Sequence, residues 1–113
     1  MNMFEIAQSL KLTALTTGVD LRHKEIATAY QSDLLSCVMS EGSEKSIWIT
    51  LINNINIVAV AKLLDIPVII VTENALPEEA TLDRAKTEGV SVFLTTKGNY
   101  QVAGELWALG IKP

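Results

Sequence analysis

The hydrophobic run from Pro67 to Thr72 constrains the fold more than any other segment. Between its ends it has four consecutive β-branched residues, Val-Ile-Ile-Val. A strand with one face in water alternates apolar and polar residues, whereas a strand of a parallel sheet is buried on both faces and is apolar throughout. The run therefore predicts a central parallel strand with a layer of helices on each side.

Strands and helices alternate along the rest of the chain. Strands are predicted at 12–17, 25–31, 46–50, 67–72 and 90–95, and helices at 2–12, 32–42, 56–64, 77–89 and 99–109. From Ser46 onward each strand is followed by a helix, which favours parallel strands joined by crossovers, while the two successive strands of the first half favour a mixed or antiparallel edge. The predicted fold class is α/β, a three-layer sandwich with a mainly parallel central sheet of about five strands.

Capping residues mark several helix ends. Ser32 is a predicted N-cap with Asp33 in the first turn, Pro77 suits the first position of a helix, and Gly89 suits a C-terminal cap. The helix at 56–64 is apolar nearly all round, which predicts that it is buried. The 113 residues are 49% hydrophobic and contain no linker or repeat, so we predict a single α/β domain over 1–113.

Charge excludes several partners. The net charge is −4, and the nine lysines and arginines are scattered rather than clustered, which argues against nucleic acid and against acidic membrane surfaces. The longest apolar stretch, 55–71, is interrupted by polar residues and a proline, so no membrane span is expected. Without a basic leader, and with Cys37 as the single cysteine, we expect a cytoplasmic protein.

Four segments occur in the same order as in DRTGG-domain proteins. They are 30–39, 48–50, 56–61 and 95–104, and on them the chain resembles the small stand-alone members of that family. The pentapeptide that names the family is absent, because after Thr50 the chain reads Leu-Ile-Asn-Asn-Ile-Asn.

The resemblance implies a regulatory or dimerising module. Related domains occur in front of HPr kinase-like and phosphotransacetylase enzymes and between the CBS modules of some pyrophosphatases. Stand-alone members lie beside redox systems such as iron-only hydrogenases, which implies a protein partner in a redox or metabolic system.

Ligands of open α/β sheets bind beyond the carboxyl ends of the strands. Polar residues follow three predicted strands there, and we predict as ligand-binding residues Thr50, Asn53, Asn54, Asn56, Thr72, Thr95 and Thr96. The plain alternative is that Asn56 is an N-cap and that Asn53 and Asn54 form a turn. Lys97 with Gly98 would complete a phosphate pocket or, alternatively, form a surface turn.

No catalytic signature stands out. Cys37 would be a redox thiol beside His23, but its spacing of three from Leu34 favours core packing. His23 is expected on an exposed loop, and Asp33 is expected to favour a helix start. No metal-ligand spacing or nucleotide loop motif occurs. We therefore predict no enzymatic activity and no cofactor.

The last predicted helix has more apolar surface than one sheet can cover. Tyr100, Ala103 and Trp107 lie beside the stripe of Val102, Leu106 and Leu109. We therefore predict a homodimer whose interface contains Tyr100, Ala103 and Trp107. The alternative is that the amino-terminal helix covers the same surface.

Three classes of function remain. The preferred one is a non-catalytic regulatory or accessory domain that acts through dimerisation and partner binding. The alternative is a sensor of a small anionic ligand, a nucleotide or a phosphorylated metabolite, and an enzyme with an unrecognised site ranks last.

Overall fold

The computed structural model describes residues 1–113 and contains five strands and five α-helices. The helices are α1 (Met3–Leu10), α2 (Leu35–Glu41), α3 (Asn56–Leu63), α4 (Glu79–Glu88) and α5 (Asn99–Ala108). The strands are β1 (Thr13–Ala14), β2 (Thr28–Gln31), β3 (Ser46–Thr50), β4 (Val68–Val71) and β5 (Ser91–Leu94), and a 3-10 turn covers Leu21–His23.

The five strands form one sheet in the order β1-β5-β4-β3-β2. Strands β2 to β5 are parallel neighbours, and β1 pairs antiparallel with β5. The predicted fold class is confirmed, including the mixed edge. Each step from β2 to β5 moves in the same direction across the sheet, so the strand order contains no reversal among the parallel strands.

Two hydrophobic clusters lie on opposite faces of the sheet. Val68 and Ile70 of β4 join the cluster that α1 and α5 cover. Ile69 and Val71 join the cluster beneath α2, α3 and α4. All four β4 side chains are fully buried, so the double burial predicted for this strand is confirmed.

Element boundaries differ where side chains offer the backbone other partners. The strand predicted at 12–17 is regular only over Thr13–Ala14, because Val92 N–H bonds to the Thr16 hydroxyl oxygen instead of a carbonyl. Helix α2 begins at Leu35 without a side-chain cap, so Ser32 is not its N-cap. Ser32 Oγ instead accepts a hydrogen bond from Leu34 N–H.

Helix α3 is amphipathic rather than buried all round. Ile57, Val58 and Ala61 are fully buried, but Leu63 is 66% exposed because α3 lies in an outer layer between α2 and α4. Pro77 precedes the first residue of α4 by two positions instead of starting the helix. Gly89 ends α4 with φ +74°, as predicted.

Cys37 is half-buried and belongs to neither cluster, so its prediction as a core residue is wrong. Val38 is the buried residue of α2. Desolvation raises the pKa of the Tyr30 hydroxyl, and Cys37 and Glu41 raise it further.

None of the five helices has the length and apolar character that a membrane span requires.

Replacing Ile70 by Ala removes a fully buried side chain from the strand between both clusters. We expect a loss of about 2–5 kcal/mol in the free energy of unfolding, measured by chemical denaturation. Leu63→Ala is the matched control, and we expect it to change stability by less than about 0.5 kcal/mol. Equal effects of the two substitutions would contradict the central position of β4.

Candidate functional site

The carboxyl ends of β3, β4 and β5 lie side by side. Thr50 is the last residue of β3, and Thr72 and Thr95 directly follow β4 and β5. Thr50 and Thr72 are fully buried and Thr95 nearly so. Thr72 N–H donates to the Thr50 carbonyl at 2.9 Å, and Thr95 N–H donates to the Val71 carbonyl at 3.0 Å. The predicted threonines therefore share one edge of the sheet, as parallel strands require.

Asp33 is the centre of a polar network at this edge. Its Oδ1 accepts hydrogen bonds from the Thr50 hydroxyl and from Leu51 N–H, both at 2.8 Å. Its Oδ2 accepts from Asn99 Nδ2 at 3.0 Å. The Thr72 hydroxyl then donates to Asn99 Oδ1 at 2.6 Å. Four side chains from four separate segments are joined in one chain of hydrogen bonds.

This network closes the end of the sheet. Asn99 is the first residue of α5, whereas Asp33 precedes α2, and these helices cover opposite faces. The hydrogen bond between them therefore crosses over the carboxyl ends of β3 and β4. The position where an α/β sheet commonly holds a ligand is occupied here by the protein's own side chains.

Trp48 sets the position of Asp33. Its indole Nε1–H donates to the Ser32 carbonyl at 2.9 Å, and its ring is fully buried. Because the carbonyl belongs to the residue directly before Asp33, the buried ring fixes the backbone that carries the carboxylate.

The other predicted site residues do not join the network. Asn53 and Asn54 are exposed and line a pocket of about 310 Å³ with Ile55, Glu78, Ala80 and Thr81. Asn54 Oδ1 accepts from Asn56 N–H at 2.9 Å, and Ile55 stands at the helix cap, so Asn56 is not an N-cap. Thr95 Oγ1 accepts from Lys97 N–H, and Thr96 is exposed. Ligand binding by these residues stays a prediction.

Lys97 points away from the strand ends. Its ammonium donates to the Leu10 carbonyl at 3.0 Å and to Glu105 Oε1 at 2.8 Å, on the side of α1 and α5. Glu73, at φ +58°, places its Oε1 only 2.6 Å from where a Cβ on Gly98 would lie. The charges closest to the strand ends are therefore carboxylates.

Sequence reasoning missed the roles of Asp33 and Asn99. Asp33 was expected to favour a helix start, but α2 begins two residues later and the carboxylate binds Thr50, Leu51 and Asn99 instead. No spacing signal links residues 33, 50, 72 and 99, because they meet only after the sheet has formed.

A second pocket, of about 370 Å³, lies at the amino ends of the strands. It is lined by His23, Lys24, Glu25, Glu44, Lys45 and Pro67. The Lys24 ammonium donates to the Pro67 carbonyl at 3.1 Å, and burial lowers the pKa of this group. Lys24 thus ties the segment before β2 to the segment before β4.

An apolar groove of about 160 Å³ lies between α5 and β2. Ala103 and Trp107 line it together with Ala29, Ile49, Leu106 and Ile111. Trp107 is 55% exposed, with the Lys112 ammonium 5.0 Å from its ring centre, and Tyr100 is 94% exposed.

No family model matches the chain, and no curated protein matches it. Among solved structures it is similar to the CBS and DRTGG domains of the regulatory region of Clostridium perfringens pyrophosphatase, complexed with the activator diadenosine tetraphosphate. The TM-score is 0.70 at 17% sequence identity, and the match covers 93% of this chain and 45% of that chain. This chain thus spans less than half of that structure, and the similarity shows a common fold.

A double-mutant cycle between Asp33→Ala and Asn99→Ala tests the network. Because their side chains bind each other across the sheet end, we expect a coupling of roughly 0.5–3 kcal/mol in the free energy of unfolding. The control cycle pairs Asp33→Ala with Gln8→Ala, an exposed residue of α1, and should be additive within about 0.5 kcal/mol. Additivity in both cycles would show that the hydrogen bond between Asp33 and Asn99 contributes nothing to stability.

Proposed function

We propose that this chain is a non-catalytic regulatory or accessory domain that acts through homodimerisation and through binding to a protein partner. The similar structure belongs to the regulatory region of an enzyme, which supports a regulatory role. The observation that carries the dimer is the exposed apolar side of α5, with Tyr100 and Trp107.

The geometry of α5 explains why this side is available. Val102 and Leu106 face the sheet and are fully buried. Tyr100, Ala103 and Trp107 follow one another at intervals of three and four residues, so they form one line beside that buried stripe. Aromatic residues are enriched at the centres of protein interfaces, where they bury large areas.

The ionisable groups support a non-catalytic role. The Asp33 carboxylate is used in three hydrogen bonds, and His23 lies at the opposite edge of the sheet, paired with Asp20 at 3.2 Å. A catalytic pair needs the nucleophile and its base within hydrogen-bonding reach.

The resemblance directs the search for a partner to cytoplasmic redox and metabolic enzymes.

Sedimentation equilibrium tests the dimer. We expect the native chain to be a dimer at micromolar concentration and Trp107→Glu to be a monomer, because the substitution places a charge in an apolar interface. Leu63→Glu is the control, since Leu63 is also an exposed apolar residue but lies on α3, and this variant should remain a dimer. A native monomer refutes the dimer, and a dimeric Trp107→Glu removes α5 from its interface.

A second candidate is a sensor of a nucleotide or phosphorylated metabolite. The similar structure was determined with diadenosine tetraphosphate, which supports this class of ligand. The pocket at Asn53 and Asn54 offers amide donors and acceptors. Since Glu78 is its charged residue and Lys97 points elsewhere, recognition there would depend on the base and sugar more than on the phosphates.

Thermal unfolding with diadenosine tetraphosphate, ATP or inorganic phosphate tests the sensor. A ligand at 100 times its Kd stabilises the folded state by about 2.7 kcal/mol. We therefore expect a nucleotide to raise the melting temperature and inorganic phosphate to leave it unchanged. Asn53→Ala and Asn54→Ala should reduce the shift, because both side chains line the pocket, whereas Gln8→Ala should not. A shift that ignores both asparagine substitutions places the ligand elsewhere.

A further inference from the structure

Strand β2 is an edge of the sheet with free backbone groups. Thr28 N–H donates to the Lys45 carbonyl of the segment entering β3, and Ser32 N–H donates to the Ile49 carbonyl of β3. Alternate residues of a strand direct their backbone groups to the same side, so the backbone N–H and C=O groups of Tyr30 also point toward β3. The backbone N–H and C=O groups of Ala29 and Gln31 therefore point away from the sheet.

The residues of β2 themselves lack the usual protection against pairing, although Pro113 at the end of the chain lies beside Ala29. Natural edge strands carry charges or prolines or are very short. Thr28–Gln31 contains neither a charged residue nor a proline, whereas the opposite edge, β1, has only two residues. The unprotected edge is thus confined to β2.

The surface on both sides of β2 is concave. The apolar groove of Trp107 lies on the α5 side, and a pocket of about 350 Å³ with Tyr30, Glu41 and Ser46 lies on the α2 side. Ala29 and Pro113 line both. The exposed line of α5 and the free edge of β2 are therefore parts of one surface.

We propose that β2 pairs antiparallel with β2 of a second copy of this chain, so that the two five-stranded sheets become one. This inference deepens the proposed homodimer and rests on it. A two-fold axis perpendicular to the sheet keeps both α5 helices on the same face. Each Trp107 then lies toward the other copy's α5.

Geometry favours a second copy as the occupant, and the absence of charge on β2 keeps the electrostatic cost of the contact low. Copies with a net charge of −4 repel each other, and they meet at least electrostatic cost across a strand that carries no charge. Pairing β2 with β1 of another copy would engage only two residues and would leave free edges at both ends. Pairing β2 with β2 closes after two copies.

The register that uses the free backbone groups of both Ala29 and Gln31 is centred on Tyr30. Ala29 exchanges both hydrogen bonds with Gln31 of the partner subunit, and Tyr30 lies opposite Tyr30 of the partner subunit. This central pair is not hydrogen-bonded, and such pairs have a Cα separation of about 4.5 Å. That separation lies within the range of about 4.4–6.8 Å that a disulfide bridges.

Oxidative cross-linking tests the register in a Cys37→Ser background. We expect Tyr30→Cys to form a covalent dimer on non-reducing gels. Ala29→Cys is the matched control and should stay monomeric on the gel, because the two cysteines would be two residues out of register. Efficient cross-linking through Ala29→Cys, or none through a folded, dimeric Tyr30→Cys, overturns the register.

Gln31→Pro tests the edge without altering Tyr30. Proline removes an N–H that faces away from β3, so the sheet of each copy stays intact. We expect the dimer dissociation constant to rise at least tenfold in sedimentation equilibrium, with Gln31→Ala unchanged. A native dimer that Gln31→Pro leaves unchanged overturns β2 pairing and leaves the proposed dimer standing, whereas a native monomer overturns both.

Discussion

Burial of β4 on both faces is the constraint on which the other layers depend. Its four apolar side chains alternate between the two hydrophobic clusters, and each contributes roughly 1.5–3 kcal/mol when fully buried. Its backbone is paired with β3 and β5. A strand of this kind forms only when helices cover both faces, so α1 and α5 on one side and α2 to α4 on the other follow from it.

The carboxyl edge illustrates a second constraint. All the crossover helices lie on one face, and α5 returns on the other. In the space between them at the strand ends lie the buried hydroxyls of Thr50 and Thr72, which also contact the Ile52 N–H and the Thr50 carbonyl. Asp33 and Asn99 fill that space and bind those hydroxyls. The polar residues at the strand ends thus hydrogen-bond to each other within the fold. The pocket at Asn53 and Asn54 is lined by other residues.

The proposed dimer would use surfaces of α5 and β2 that are not buried in the hydrophobic core. Helix α5 buries Val102 and Leu106 against the sheet but exposes Tyr100 and Trp107, and β2 bonds to β3 on one side only. A second copy is the natural partner for both surfaces because it supplies an identical strand and an identical helix.

The sequence predicted the features that depend on local pattern. The apolar run of β4 predicted its double burial, alternating elements predicted the parallel sheet, and Gly89 predicted the end of α4. Local pattern failed for Ser32 and Asp33, which were expected at a helix start but bind other partners. It also failed for Cys37, because α2 buries Val38 instead.

By itself, the sequence determined the fold class, because hydrophobic periodicity reports which faces must be buried. Only the tertiary structure decided where the polar groups act. Asp33 meets Thr50 and Asn99 across 17 and 66 residues of chain, and Lys97 reaches Leu10 across 87. Hydrogen bonds between such distant residues leave no periodic signal, since their partners are chosen by the packing of layers that must form first.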